Sequence, residues 1–252
     1  MGRLNNRVAI VTGAAQGIGA AYAKAIAAEG ASVVVADRDD GQQVVDQIIK
    51  GGGTALNIVT DVSDETSCKA MAAQTIDAFG RIDILVNNAA LFGHLDAKPF
   101  EEISVDEWDA LMAVNVRGVF VAIKSVTGQM RKQQYGKIIN IASGTLFKGT
   151  PMLLHYVTSK GAVLAMTRCI SREVGDDNIC VNTLAPGLVM SENVLARDTF
   201  SDAGVDANTE TRALKRRQMP EDLTGAMIFL ASADSDFMTG QCVVVDGGSV
   251  NN

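Results

Sequence analysis

Short runs of β-branched and aliphatic residues recur along the chain at Val8–Thr12, Ser32–Asp37, Ala55–Val59, Ile82–Asn87, Lys137–Ala142, Ile179–Ala185 and Cys242–Val245. Each is too short for a stable helix, and most are apolar at consecutive positions, so they predict strands buried on both faces. Between them, Gly17–Glu29, Asp64–Phe79, Asp106–Arg131, Tyr156–Glu173 and Glu221–Ala231 repeat apolar residues at helical spacing. Regular alternation of the two kinds calls for parallel strands joined by right-handed crossovers, with helices covering both faces of one sheet. The predicted fold class is α/β, a doubly wound seven-stranded parallel sheet in a single domain over residues 1–252. One stretch breaks the alternation. Residues 188–218 show no strand pattern, and Asp198–Gly204 reads as loop. A loop this long inside a compact domain is usually functional, so residues 188–218 are assigned as a substrate-binding loop or lid.

Composition narrows the function classes. Hydrophobic residues make up 47% and charged residues 20%, the balance of an ordinary globular domain rather than a disordered one. Twenty-two basic against 29 acidic residues give a net charge of −7, the wrong sign for a phosphate backbone or an anionic bilayer surface, so neither nucleic acid nor membrane is expected as a partner. The cysteines form no CxxC pair and have no histidine at ligand spacing, which suggests neither a metal site nor a disulfide framework. No secretory pattern and no run of 18 apolar residues occurs, and a cytoplasmic protein is expected.

Candidate chemistry begins between the first strand and the first helix, at Thr12-Gly13-Ala14-Ala15-Gln16-Gly17-Ile18-Gly19. Glycines there let the backbone turn tightly and approach a pyrophosphate, whose charge meets the free N–H groups of the following helix. Asp37 ends the second strand, where a carboxylate accepts hydrogen bonds from the adenosine ribose hydroxyls and repels a 2′-phosphate. It favours NAD as cofactor. Arg38, directly after it, is the one argument for NADP. Further along, Tyr156 and Lys160 lie one turn apart on a predicted helix, on one face. A phenol with a pKa near 10 is a poor base at neutral pH, and an ammonium beside it favours the phenolate.

Thr12–Gly19, Asp61-Val62, Asn87-Asn88-Ala89-Ala90, Asn115, Ser143, Tyr156-Val-Thr-Ser-Lys160, Asn182, Pro186-Gly187 and Asp246-Gly-Gly follow one another in an order that resembles the short-chain dehydrogenase/reductase family over essentially the whole chain. The resemblance implies a Rossmann-type fold and a catalytic tetrad of Asn115, Ser143, Tyr156 and Lys160. It also implies a dinucleotide held by Gly13, Gln16, Gly17, Ile18, Gly19 and Asp37. Asp61 and Val62 would lie around the adenine and Asn88, Ala89 and Ala90 along the cofactor. Pro186, Gly187, Val189 and Ser191 would lie against the nicotinamide, with Tyr156 and Lys160 at its ribose. In those roles Tyr156 exchanges the substrate hydroxyl proton, Ser143 holds the same oxygen, Lys160 lowers the tyrosine pKa, and Asn115 fixes a water that relays protons. Read by itself, Asn115 also fits a helix-interior asparagine bonding its own backbone. Two positions depart from the family pattern: Ala90 replaces a usual glycine, and Ser191 stands where threonine is general.

The residues expected to line the substrate pocket include His94, Thr145, Phe147, Leu153 and Met190 within mainly apolar segments. That composition favours an aromatic or alicyclic secondary alcohol and its ketone. Gly149-Thr-Pro-Met before the tyrosine also looks like members that oxidise a sugar or pyridoxal-type hemiacetal, so this second substrate class stays open, as does a non-catalytic NAD-binding regulator. His155 points away from Tyr156 around the helix and reads as structural. Small or apolar residues on more than one face of the 106–131 and 156–173 helices, among them Ala110, Met112, Val121, Ala122 and Ala165, together with the resemblance, imply a homotetramer.

Overall fold

The computed structural model describes residues 2–92, 95–195 and 202–250. Seven strands form one sheet: β1 (Val8–Thr12), β2 (Ser32–Asp37), β3 (Thr54–Val59), β4 (Ile84–Asn87), β5 (Gly136–Ile141), β6 (Ile179–Pro186) and β7 (Cys242–Val245). They lie in the order β3-β2-β1-β4-β5-β6-β7, and every neighbouring pair is parallel. The doubly wound sheet expected from the sequence is therefore present, with the strand order reversing direction between β1 and β4. A crevice opens at such a reversal, outside the carboxyl ends of the strands.

Period-two geometry explains why the strands read as unbroken apolar runs. Ala9, Val11, Val33, Val35 and Val86 pack on one face, against Tyr22, Ile26, Val44, Ile48 and Met227. Their neighbours Ile10, Val34, Ala36 and Leu85 pack on the other, against Met71, Val121, Val126, Met130 and Val163. The first layer is built from α1 (Gly17–Ala28), α2 (Gln42–Lys50) and, late in the chain, α10 (Thr224–Ala231). The second is built from α3 (Glu65–Phe79), α5 (Val119–Gln133) and α7 (Leu154–Glu173). Each fully buried aliphatic side chain contributes about 1.5–3 kcal/mol, so both layers are firmly held to the sheet.

Three elements differ from the sequence expectation. Helix α2 was not among the predicted ones; its nine residues bury only Val44, Val45 and Ile48. The predicted 106–131 helix is α4 (Val105–Met112) and α5 joined by a π-helical turn at Ala113–Gly118. This run is long and apolar enough by composition to cross a membrane, yet it packs on the sheet through Val121, Ala122, Val126 and Met130. Within 188–218, Asp202–Gly204 belongs to a helix rather than a loop: α8 (Glu192–Leu195) and α9 (Asp202–Glu210) occupy the excursion, while Asp198–Ser201 lies outside the described residues. Its ends meet in a parallel bridge between Val189 and Gln218, and Val205 of α9 packs on Met190 and Val194. The remaining short helix, α6 (Thr145–Lys148), lies directly after β5.

Candidate active site

At the carboxyl end of β1 the chain enters the reversal point through Gly13 and Gly17, both with left-handed backbone (φ 64° and 58°). A Cβ on Gly13 would stand 2.7 Å from Ala89 Cα, and one on Gly19 would stand 2.1 Å from the Gly13 carbonyl oxygen. Only glycine fits at either position. The turn is clamped to the end of β4. Asn88 donates from Nδ2 to the carbonyls of Thr12 (3.0 Å) and Gly13 (2.9 Å), while Thr12 Oγ1 accepts from the backbone N–H of Asn88 and Ala89, both at 3.1 Å. Helix α1 that follows has no side-chain cap at Gln16 and no acidic residue in its first turn, so its N-terminal N–H groups are left for an anion. This cradle fits the diphosphate of a dinucleotide.

Asp37, at the end of β2, accepts from Ala15 N (2.9 Å) on one oxygen and from Asp39 N (3.2 Å) on the other, tying the glycine turn to the neighbouring strand. Arg38 is largely exposed at the mouth of the cleft, 4.0 Å from Asp39, and its charge also lowers the pKa of Asp61. Asp61 turns back on Ser63, accepting from its N–H (2.8 Å) and hydroxyl (2.7 Å), and these bonds hold its carboxyl below the usual range. Ala90 has no left-handed backbone, so the methyl group at the departed position costs no strain here.

The reacting end is assembled from β5, the π-helical turn and α7. Tyr156 is buried, with its ring 4.7 Å from that of Phe92 at an interplanar angle of 39°. Lys160 Nζ lies 5.7 Å from the tyrosine ring centroid and donates to the Ile141 carbonyl at 2.8 Å. Ser143 Oγ accepts from Thr145 N (3.3 Å) and Thr145 Oγ1 (3.0 Å). Burial pushes the Tyr156 phenol up to about 12, a hydrogen bond from Ser143 pulling the other way. Burial also brings the Lys160 ammonium down to about 8. The Tyr-x-x-x-Lys spacing predicts a lowered tyrosine pKa, whereas desolvation of the buried ring raises it in the folded chain. The protein by itself holds this phenol protonated at neutral pH.

Asn115 sits in the π-helical turn and is buried. It does not bond its own helix through the side chain. Its Oδ1 accepts from Leu91 N (2.7 Å), and its Nδ2 donates to Leu91 O (3.3 Å) and Ser159 Oγ (3.2 Å). Ser159 in turn donates to the Tyr156 carbonyl at 2.7 Å. Asn115 thus fastens the exit of β4 to Ser159, between Tyr156 and Lys160 on α7. Such π-helical insertions are frequent at functional sites, where one extra residue re-aims a side chain. Behind the tyrosine, His155 is fully buried with Nε2 3.3 Å from Glu107 Oε1, away from the cleft.

One cleft of about 680 Å³ runs from the glycine cradle to Tyr156. Every residue expected to hold the dinucleotide lines it, including Ile18, Val62, Pro186, Gly187, Val189 and Ser191, and so do Ser143 and Lys160. Asn115 stands behind the wall. Of the expected substrate residues, Thr145 and Leu153 line the cleft. Phe147 is instead turned to solvent, and Met190 is buried under α8 and α9 with Val194 and Val205, because a methionine there fills the small core of the excursion. His94 lies outside the described residues. Asp246 of the Asp246-Gly-Gly segment also lines the cleft, as do Lys148 and Asn208, which the sequence did not point to. Lys148 directly follows an apolar segment, and Asn208 falls in the stretch whose helix left no clear apolar period in the sequence. Among the described residues no cluster of three metal-ligating side chains occurs.

Residues 13–250 match the family described as Enoyl-(Acyl carrier protein) reductase. An uncharacterized oxidoreductase of Mycobacterium tuberculosis is 42% identical over 249 residues, covering 98% of each chain. A short-chain dehydrogenase/reductase of Hericium erinaceus is 36% identical over 251 residues, covering 97% of this chain and 98% of its own. Among solved structures, one described as an NAD(P)-dependent gluconate 5-dehydrogenase from Beutenbergia cavernae, with NADP bound at low occupancy, superposes with a TM-score of 0.90 at 36% identity, covering 98% of this chain and 97% of the other.

Proposed function

The chain belongs to the short-chain dehydrogenase/reductase family of NAD(P)-dependent oxidoreductases, and on that premise we propose that it transfers a hydride between NAD and a secondary alcohol or its ketone, with Tyr156 as the proton-exchanging group. The observation that carries this reading is the continuity of one cleft from the Gly13–Gly19 cradle to the buried Tyr156, Ser143 and Lys160. NAD, held by the Gly13–Gly19 cradle, would supply the hydride acceptor for the carbinol carbon. Tyr156 takes the hydroxyl proton as the alcohol is oxidised and returns it in the ketone-reducing direction. Ser143 hydrogen-bonds the same oxygen, and Asn115 holds the tyrosine's helix in register. Residues 188–218 act as the lid over the substrate. Initial-rate assays of NADH formation over a panel of secondary alcohols, ring alcohols, sugars and sugar acids test the reading, and failure of every member overturns it.

A pH dependence follows from the two displaced groups. Alcohol oxidation requires the phenolate, which burial disfavours, so its kcat/KM rises with pH; ketone reduction requires the phenol and stays level through neutral pH. Lys160, with its pKa brought down to about 8, is still mostly a cation at pH 7 and lowers the cost of the phenolate. Replacing Lys160 by Met is expected to move the rise of the oxidation profile to higher pH. An unmoved profile would refute this role for the lysine.

The apolar cleft segments support an aromatic or alicyclic substrate, and the gluconate dehydrogenase among the similar structures supports a polyol or sugar acid. We also propose a homotetramer. Val121 and Ala122 belong to the core and Ala110 lines the cleft, but Val105 and Phe120 remain exposed on the outer side of the same long helix, and β7 is a half-buried edge strand. Light scattering at micromolar concentration is expected to give four chain masses, and a monomer mass would refute it.

A further inference from the structure

Besides Arg38 at the adenosine end, the hydride chemistry leaves a second cation of the cleft unused. Lys148 ends α6, whose first residue, Thr145, donates to Ser143 Oγ, so the turn that orients the serine also fixes the lysine. Its ammonium donates to Thr211 Oγ1 at 3.2 Å and to the hydroxyl of Ser249. Among the described residues no carboxylate pairs with it. Asp246 acts on it from a distance, but that carboxylate accepts from the backbone N–H of Gly248, Ser249 and Val250 at 2.9–3.0 Å. Partial burial, aided by the Arg212 guanidinium, pulls the Lys148 pKa down despite Asp246. An ammonium in that condition gains from an anion beside it.

Helix α9 brings a second donor to the same cleft. Asn208 Oδ1 accepts from Arg212 Nη2 at 3.2 Å, which fixes the amide orientation and leaves its NH2 group without an acceptor among the described residues. Arg212 is only 3% exposed and is anchored on the carbonyls of Leu188 and Arg216, with Nε unpartnered. The cleft wall near Ser143 therefore presents an ammonium and an amide N–H pair, with a buried guanidinium behind the amide.

We propose that Lys148 and Asn208 bind an anionic oxygen group of the substrate, so that the secondary alcohol oxidised at Tyr156 belongs to an acid, a hydroxy carboxylate or a phosphate ester. This rests on the hydride-transfer reading and names its substrate class. The reaction balances without a further reactant: the carbinol C–H hydride passes to NAD, the hydroxyl proton passes through Tyr156 to solvent, and the acidic group is unchanged. Charged hydrogen bonds of this kind change affinity by about tenfold or more.

The test compares matched pairs: D-gluconate and D-glucitol 6-phosphate against uncharged D-glucitol, and 3-hydroxycyclohexanecarboxylate against cyclohexanol. The ratio of kcat/KM, charged over neutral, is expected to reach about ten or more in at least one pair. Lys148→Met should cancel most of that ratio and Lys148→Arg should restore part of it. Whichever acid wins distinguishes carboxylate from phosphate. A purely structural lysine joining α6 to Thr211 and Ser249 would alter stability and both rates together, leaving the ratio alone. Ratios near one in every pair, or a ratio unmoved by Lys148→Met, overturn the proposal. Titration calorimetry of the same acids into the NAD-loaded protein supplies a readout without turnover. Acid binding weakened by Lys148→Met supports the site even if no alcohol is oxidised, in which case the hydride-transfer reading alone fails. Absence of binding by every acid overturns the site.

Discussion

Tyr156→Phe is expected to lower turnover by at least about 10²-fold while NAD binding persists. The phenol is buried against Phe92, and a phenylalanine keeps the ring, its packing and the α7 backbone, removing only the oxygen that exchanges the proton. Ser143 would still hold the substrate oxygen, but with no group to take or give its proton the reaction falls back on solvent, which reaches this site poorly. Fluorescence titration with NADH should give a dissociation constant within about threefold of wild type, since the cradle at Gly13–Gly19 is untouched. Normal turnover by this variant would mean that Tyr156 is not the acid/base. A protein that binds NAD yet turns over nothing, with or without the substitution, would point to the non-catalytic regulator instead.

Sequence patterns carried the sheet almost completely because each strand is buried on both faces, so its signal is a continuous apolar run that few surface segments mimic. Helix α2 left a weaker trace: Gln42-Gln-Val-Val-Asp-Gln-Ile-Ile-Lys offers only Val44, Val45 and Ile48 to the core. The π-helical turn left none. Ala-Val-Asn-Val-Arg-Gly is compatible with ordinary helix, and what distinguishes it in three dimensions is the pair of bonds between Asn115 and Leu91, a partner on a different element. Helix α9 was hidden for a related reason, since among its described residues the one well-buried aliphatic side chain, Val205, packs on Met190 and Val194 of its own excursion rather than on the main core.

The site divides in the same way. Positions whose chemistry depends on local geometry were legible: glycines at a strand-to-helix turn, and Tyr156 and Lys160 one turn apart on a helix. Positions whose role depends on what faces them from elsewhere were not. Lys148 directly follows an apolar segment, and only the return of the chain at Thr211, Ser249 and Asp246 gives it a setting. Met190 differs in the opposite sense, because an apolar residue near a pocket serves equally well in the small core it forms with Val194 and Val205. The direction of the tyrosine pKa belongs here too, since desolvation is a property of the packed ring and not of the Tyr-x-x-x-Lys spacing.

Asp37→Ser is expected to raise the ratio of kcat/KM for NADP over NAD by about tenfold or more. In the proposed reading the carboxylate at the end of β2 accepts from both adenosine ribose hydroxyls and repels a 2′-phosphate, so its loss weakens one cofactor and admits the other. Serine is the informative replacement because its hydroxyl can still accept from Ala15 N, the bond by which Asp37 steadies the glycine turn. Arg38 supplies the second half of the effect. Its guanidinium is exposed, 4.0 Å from Asp39, and is free to swing onto a 2′-phosphate once the neighbouring carboxylate is gone. Adding Arg38→Ala to Asp37→Ser should therefore remove most of the gain for NADP while leaving the loss for NAD in place. A wild-type protein that prefers NADP would overturn the assignment and make Arg38 the selector, in line with the NADP bound in the similar Beutenbergia cavernae structure.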